Sequence, residues 1–273
     1  MSPVPLASIV VPVFDDAASI RAALASATAQ TLADVEIVCV DDASTDATAG
    51  IIEQVALGDP RVRLVRHDDN RTAFQARRTG ILAARGEYVL FLDGDDELAP
   101  RAAEVAGGRA QESGPDIVGF GVDVVERDGR TGGTNERRLQ PAHDRRDGSD
   151  ALTGLFSEGG RAQGQLWRHL YRTSLLREAY ALVPDDLALA RVNDLPLLFL
   201  AAALAVERSR RERHHQDYGD AEHCTRRGDP HPQTRCRGSG GHALQSTDAV
   251  PRPGAAHDEG AGHRTMCGPD PCR

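Results

Sequence analysis

Tyr88–Pro100 reads YVLFLDGDDELAP. Val89 to Leu92 are apolar throughout, the mark of a strand covered on both faces. The run then meets Asp93, Asp95, Asp96 and Glu97, with Gly94 among them. Carboxylates gathered at a sheet edge repel one another unless a cation or hydrogen-bond donors sit among them. Hard divalent cations such as Mg2+ or Mn2+ take oxygen ligands and bridge carboxylate to phosphate. The Asp93–Asp96 cluster therefore reads as a seat for a metal that carries a diphosphate. Gly94 lets the backbone turn tightly and lets a ligand approach.

The residues before it alternate strand and helix patterns. SIVVPVF (8–14), VEIVCV (35–40) and VRLVRH (62–67) are β-branched strand runs. AASIRAALASATAQ (17–30), TDATAGIIEQVAL (45–57) and TAFQARRTGILAAR (72–85) are helical, with Ser44 or Asp46 as cap of the second and Gly86 ending the third. A helix over 100–113 and a strand over 116–126 follow. Repeated βαβ units predict an α/β fold: a Rossmann-like, mainly parallel sheet flanked by helices, with right-handed crossovers. Ligands of such sheets bind outside the carboxyl ends of the strands. Here those ends carry Phe14, Asp15 and Asp16, then Asp41 and Asp42, then Asp93 to Asp96. A single Asp is a common turn or cap residue; three clusters at one edge point to a site.

Residues 1–126 thus form one α/β half. Residues 127–150 are polar and rich in Arg, Asp and Gly, and read as a loop. ALTGLF, QLWRHLYRTSLLREAY and DLPLLFLAAALAVE make 151–207 read as helices of the same domain, walling one side of a cleft. Trp167 shares near-helical spacing with Leu166 and Leu170 and reads as core. Residues 208–273 contain no Ile, Phe or Trp, yet hold seven of the ten His and four of the five Cys. Such a segment cannot bury enough apolar surface to offset its ordering entropy, so disorder is expected. The spacings of Cys224, Cys236, Cys267 and Cys272 fit no common zinc pattern. The composition also matches a GC-rich gene read out of frame.

The net charge of −9, from 32 Arg and Lys against 41 Asp and Glu, argues against nucleic acid as a general partner. No basic n-region opens the chain, and the longest apolar run, Leu195 to Val206, is shorter than a membrane span. A cytoplasmic protein is expected, with peripheral contact at the inner membrane face if its substrate is lipid-linked. Cys39 lies in an apolar strand and reads as a small hydrophobe. His67 and His143 have no evident partner.

The stretches SIVVPVFDD, VEIVCVDDASTDAT and FQARRTGILAARGEYVLFLDGDDELAP resemble the N-terminal half of family 2 glycosyltransferases of the GT-A fold, and QLWRHLYRTSLL and RVNDLPLLFLAAA continue the likeness more loosely. The resemblance implies inverting transfer of a sugar from a nucleotide diphosphate sugar, UDP favoured, to a hydroxyl of a glycan, polymer or lipid-linked acceptor. It places residues 1–126 as the donor-binding half and 127–207 as the acceptor side. By the same analogy Pro12 and Phe14 line the nucleoside pocket, Asp42 bonds the base with Asp41 adjacent, and Arg77 lies near the diphosphate. Asp93 and Asp95 match the Asp-x-Asp signature, and Asp95 with Asp96 would hold Mn2+ or Mg2+.

Inversion needs a base for the acceptor proton, and the resemblance assigns it to Asp194, at the head of an apolar helix. The competing role for Asp194 is helix capping. Two departures stand out: Asn70-Arg71-Thr72 where relatives carry Asn-x-Gly, and Ala76-Arg77-Arg78 where they carry Ala-Arg-Asn. Relatives also continue beyond the catalytic helix, so the alternative function is a truncated transferase-like protein that binds nucleotide sugar without efficient turnover. A phosphatase is disfavoured because its Asp-x-Asp would end the first strand, and a calcium loop because DGDDE lacks the alternating ligand spacing.

Overall fold

The structure is a computed structural model that describes residues 4–125, 152, 165–187, 189 and 194–225, with side chains as far as 210. Its elements are β1 (Ala7–Val13), α1 (Ile20–Thr28), β2 (Val35–Asp41), α2 (Thr48–Gly58), β3 (Val62–Arg66), α3 (Thr72–Ala83), β4 (Tyr88–Phe91), α4 (Ala102–Ser113), β5 (Ile117–Gly119), a 3-10 turn (Leu166–Arg168), β6 (His169–Arg172), α5 (Thr173–Ala181) and α6 (Asp194–Thr225). The strands form one six-stranded sheet in the order β3-β2-β1-β4-β6-β5. The pairs β1–β2, β2–β3 and β1–β4 are parallel, whereas β6 runs antiparallel to both β4 and β5.

Strand alternation sends side chains to two cores. Ile9, Val11 and Val13 pack with Ile37, Cys39, Leu90 and the apolar faces of α1, α2 and α4. Val10, Val38, Val40, Val89 and Phe91 face the other way, onto α3, α5 and α6. Continuous β-branched runs fit because both faces are covered. At the amino ends of the strands a buried polar network replaces apolar packing. The Ser8 hydroxyl donates to Glu36 Oε1 at 2.6 Å, Arg63 Nη2 donates to Glu36 Oε2 at 3.0 Å, and Gly86 N–H donates to Ser8 Oγ at 2.8 Å. The Arg85 amide also donates to Glu36. These donors hold the Glu36 carboxyl below its ordinary value against the opposing effect of burial.

Three expectations change. QLWRHLYR is not helical at His169–Arg172. Leu170 packs into one core and Tyr171 into the other, so this is a strand buried on both faces, and its Leu166/Leu170 spacing only mimics a helix. The strand expected over 116–126 is regular only at Ile117–Gly119. The boundary at 208 falls inside α6, which continues as helix to Thr225. Arg208 is held there by ion pairs to Asp116 (3.2 Å) and Glu178 (2.7 Å). The expected loop over 127–150, His143, the expected disorder of 226–273 and the side chains of the four tail cysteines lie outside the described residues. Cys39 is buried, and burial pushes its thiol up to about 12. Trp167 packs at the edge of a core.

A Cβ on Gly86 would stand 2.6 Å from Ser8 N and 2.7 Å from Ala7 C, both backbone atoms. Gly86→Ala is expected to cost about 3 kcal/mol. Gly50, inside α2 with nothing within 4 Å of its Cβ position, should gain about 0.5–1 kcal/mol as Ala. Urea midpoints of the two variants, moving in opposite directions, check this.

Candidate functional site

The strand order reverses at β1. From it β2 and β3 build one way, and β4 and β6 the other. Such a switch point leaves a crevice at the carboxyl ends, here between β1 and β4. Pro12 marks where it opens. The last contact between these strands is Leu92 N–H to Val10 O at 3.0 Å. Pro12 shares the parity of Val10, so its missing N–H faces the side where β4 has already departed and no ladder bond is lost. Pro12 is buried in β1, while Phe14 beyond it is 46% exposed.

Into this crevice turns Asp93–Asp96, closed by Asp96 N–H to Asp93 O at 3.1 Å. A Cβ on Gly94 would meet Asp16 Oδ2 at 2.7 Å and Val13 Cγ1 at 3.2 Å, so glycine lets the turn sit directly against the Asp16 carboxyl. Asp16 thereby joins the cluster, with its Oδ2 accepting from Phe14 N–H at 3.1 Å. Burial first, and then Asp95, Asp46 and Asp93, push the Asp16 carboxyl up, against the Phe14 amide. Asp96 presents an exposed surface, yet desolvation by its surroundings, then Asp93 and Asp95, push its carboxyl up to about 6. Among the described residues no three His, Cys, Asp or Glu converge closely enough to hold a metal ion by themselves.

Asp93, unlike these two, has a cation at hand. Arg77, buried on α3, pairs its Nη2 with Asp93 Oδ1 at 2.9 Å and its Nη1 with Asp194 Oδ1 at 2.9 Å. One guanidinium thus joins the carboxylate after β4 to the carboxylate that opens α6. Asp194 Oδ2 accepts from Leu166 N–H at 3.3 Å. Among the described residues neither oxygen caps its own helix. Burial raises the Asp194 carboxyl, Arg77 and the Leu166 amide oppose this, and Asp93 adds to the rise, leaving it above the ordinary value.

Asp41 and Asp42 are both buried at the end of β2. Asp41 is engaged internally: Oδ1 accepts from Ser44 N–H at 3.0 Å and Oδ2 from Arg66 Nε at 3.0 Å. Asp42 anchors one oxygen, Oδ1, on His67 Nδ1 at 2.7 Å and on Arg71 N–H at 2.8 Å. His67 therefore has the partner that its local sequence does not show, and its Nε2 meets Thr79 Oγ1 at 2.8 Å. The loop that these bonds hold contains Thr72 at φ 80°, a conformation that a β-branched residue rarely adopts. The Asn-x-Gly departure thus falls on the residue where glycine would be unstrained. Asp15, also at positive φ, accepts from Thr45 N–H at 2.7 Å and ties the β1 and β2 loops together. Asp46 Oδ1 accepts from Thr48 N–H at 2.9 Å just ahead of α2, whose N-cap position is Ala47 with no side-chain cap bond.

Two variants follow. Arg77→Met strands two partly buried carboxylates and is expected to cost about 3 kcal/mol at pH 7. The deficit should shrink on acidification, because a raised carboxyl such as Asp194 protonates readily and the neutral form needs no partner. Thr72→Gly should gain about 1 kcal/mol, the relief of strain exceeding the entropy of glycine. Thermal melts at pH 5 and pH 7 read both.

The profile described as Glycosyl transferase family 2 matches residues 8–168. The uncharacterized glycosyltransferase EpsJ of Bacillus subtilis (strain 168) is 33% identical over 187 residues, which are 68% of this chain and 54% of that protein. The succinoglycan biosynthesis protein ExoO of Rhizobium meliloti (strain 1021) is 42% identical over 128 residues, 47% of this chain and 36% of that one. The chain therefore spans about half the length of EpsJ, and less of ExoO. Among solved structures, S. aureus TarS 1-349 in complex with UDP aligns with a TM-score of 0.53 at 21% identity, covering 73% of this chain and 55% of that one, a likeness of fold. With the profile spanning more than half of its residues, the chain belongs to glycosyl transferase family 2.

Proposed function

We propose that the chain moves a sugar from a nucleotide diphosphate sugar, a UDP-sugar by preference, to an acceptor hydroxyl with inversion. The observation that carries this reading is the Arg77 bridge, which sets the Asp-x-Asp carboxylate Asp93 and the helix-head carboxylate Asp194 at one guanidinium. In this reading Pro12 and Phe14 border the nucleoside, and the unanchored oxygen of Asp42 faces the base. Asp41 holds the loop around them, and Arg77 reaches the diphosphate. The complexes of TarS with UDP and with UDP-GlcNAc support the choice of nucleotide.

Asp194 takes the proton of the acceptor hydroxyl as that oxygen attacks the anomeric carbon and the diphosphate departs. Its raised carboxyl makes it a better base than an ordinary Asp. The hard oxygen donors Asp95 and Asp96 fit Mn2+ or Mg2+, since the Asp96 and Asp16 carboxyls are raised by burial first and then by their neighbouring carboxylates, and a cation would offset both effects. Bound there, the metal supplies neutralisation of the charge that builds on the leaving diphosphate. The acceptor class is a glycan, a polymer or a lipid-linked saccharide. No described helix is long and apolar enough to cross a membrane, and any membrane contact in this reading is peripheral, at the cytoplasmic face.

Calorimetry with UDP, GDP and dTDP, with and without Mn2+, tests the donor site. UDP is expected to bind best, with metal, and Asp95→Asn to lose the metal dependence. Absence of binding by every nucleotide would refute the reading. Asp194→Asn should keep UDP binding and lower turnover by roughly a hundredfold or more. Because a base must be ionised, the wild-type rate should fall on the acid side with a midpoint above the ordinary carboxyl value of 3.8. The alternative outcome is donor binding without efficient turnover. UDP binding with neither transfer nor donor hydrolysis would select it.

A further inference from the structure

Across β4 from the nucleoside side lies a polar group that the reaction above does not use. Arg168 is 2% exposed, and no carboxylate pairs with it among the described residues. Its Nε and Nη1 are sealed from solvent without a hydrogen-bond partner, as are Tyr171 Oη and Gln165 Oε1. A buried cation without a counter-charge is strongly unfavourable, and natural folds keep one only where something else compensates it. Such a group therefore points to a missing ligand.

Its place is at the catalytic edge. In the antiparallel register Tyr88 faces Arg172, Val89 faces Tyr171 and Leu90 faces Leu170. Carried two residues further, that register sets Arg168 level with Leu92, one residue before Asp93. The 3-10 turn that bears Arg168 also donates the Leu166 amide to Asp194 at 3.3 Å. Both act on Tyr171: its hydroxyl is pushed well up by burial, Asp194 adds to the rise, and Arg168 and Arg77 oppose it. Arg168 itself is drawn down by burial, with only Tyr171 opposing.

We propose that Arg168 and Tyr171 form an anion subsite that holds a phosphate carried by the acceptor. The idle donors are two guanidinium nitrogens and a phenol, a set suited to an oxyanion with three or four oxygens. Position assigns it to the acceptor, because β1 and β2 flank the donor on the opposite side of β4. The substrate class is thus a saccharide or polyol bearing a phosphate near the accepting hydroxyl, whether within a polymer or as a lipid-linked phosphate. The assignment to the acceptor rests on the donor site proposed above.

The test is calorimetric titration of inorganic phosphate into the full chain saturated with UDP and Mg2+, for the wild type, Arg168→Met and Tyr171→Phe. Phosphate should bind the wild type, weaken at least tenfold in Arg168→Met, and weaken less in Tyr171→Phe. The Arg168→Met protein should also melt at an equal or higher temperature, by about 3 °C, because it sheds an uncompensated charge; an arginine with a merely structural role would lower it. Absence of phosphate binding to the UDP-saturated wild type, or binding that survives Arg168→Met, would overturn the subsite. Loss of UDP binding in Arg168→Met would overturn the acceptor assignment and give the phosphate to the donor. A wild type that does not bind UDP would sink the donor reading alone, and phosphate binding that depends on Arg168 would still decide the subsite. Glycerol 1-phosphate and vesicles containing a polyprenyl phosphate then separate a polymer-type acceptor from a lipid-linked one.

Discussion

One guanidinium holds the two halves of the site together. Arg77 reaches from α3 to the carboxylates after β4 and at the head of α6, and both ion pairs are partly shielded from water. Charge pairs in such surroundings are felt mainly when one partner is removed, because the remaining carboxylate is then unsatisfied. The crevice between β1 and β4, the turn at Gly94 and the start of α6 are arranged around this bridge. α3 itself presses on the sheet so closely that a Cβ on Gly80 would come within 2.3 Å of Val10 Cγ1. Packing on one side of Arg77 and charge on the other leave its head few alternatives.

The first four strands are legible in the sequence because each is a short apolar run, β-branched in the first three, bounded by turn residues, and a doubly covered strand needs nothing more. The carboxylates at the strand ends are legible as residues; their separate fates are not. Asp41 is engaged by Arg66 and Ser44, Asp42 is half engaged by His67, and Asp194 is tied to Leu166. All of these partners but Ser44 are distant in the chain, and no local pattern announces such pairings. β6 is hidden for a related reason. HLYR carries a strand whose two faces both find cores, and only the partner strand reveals this. Arg208 shows the converse: composition alone places it in a tail, whereas in the fold it lies in a helix and pairs with two acidic neighbours.

Thr72 is where local preference and fold disagree most openly. Its backbone lies at φ 80°, which the surrounding bonds from Arg71 and His67 to Asp42 impose on it. Strain of this kind persists where the rest of the structure over-determines a loop, and it gathers at functional edges.

The sheet is closed at one end and open at the other. At the amino ends Glu36 has a full set of donors. At the carboxyl ends Asp16, Asp95 and Asp96 have far fewer, and a net negative field faces outward from the crevice. That asymmetry acts before any contact is made. A bare polyanion approaching the crevice climbs an electrostatic slope, whereas the same molecule chelated by a divalent cation meets little resistance. Ordinary salt flattens the slope within a Debye length of roughly 8 Å. The open end of the sheet therefore selects by encounter rate as well as by fit, and ionic strength becomes a control on which charge form of a ligand arrives first.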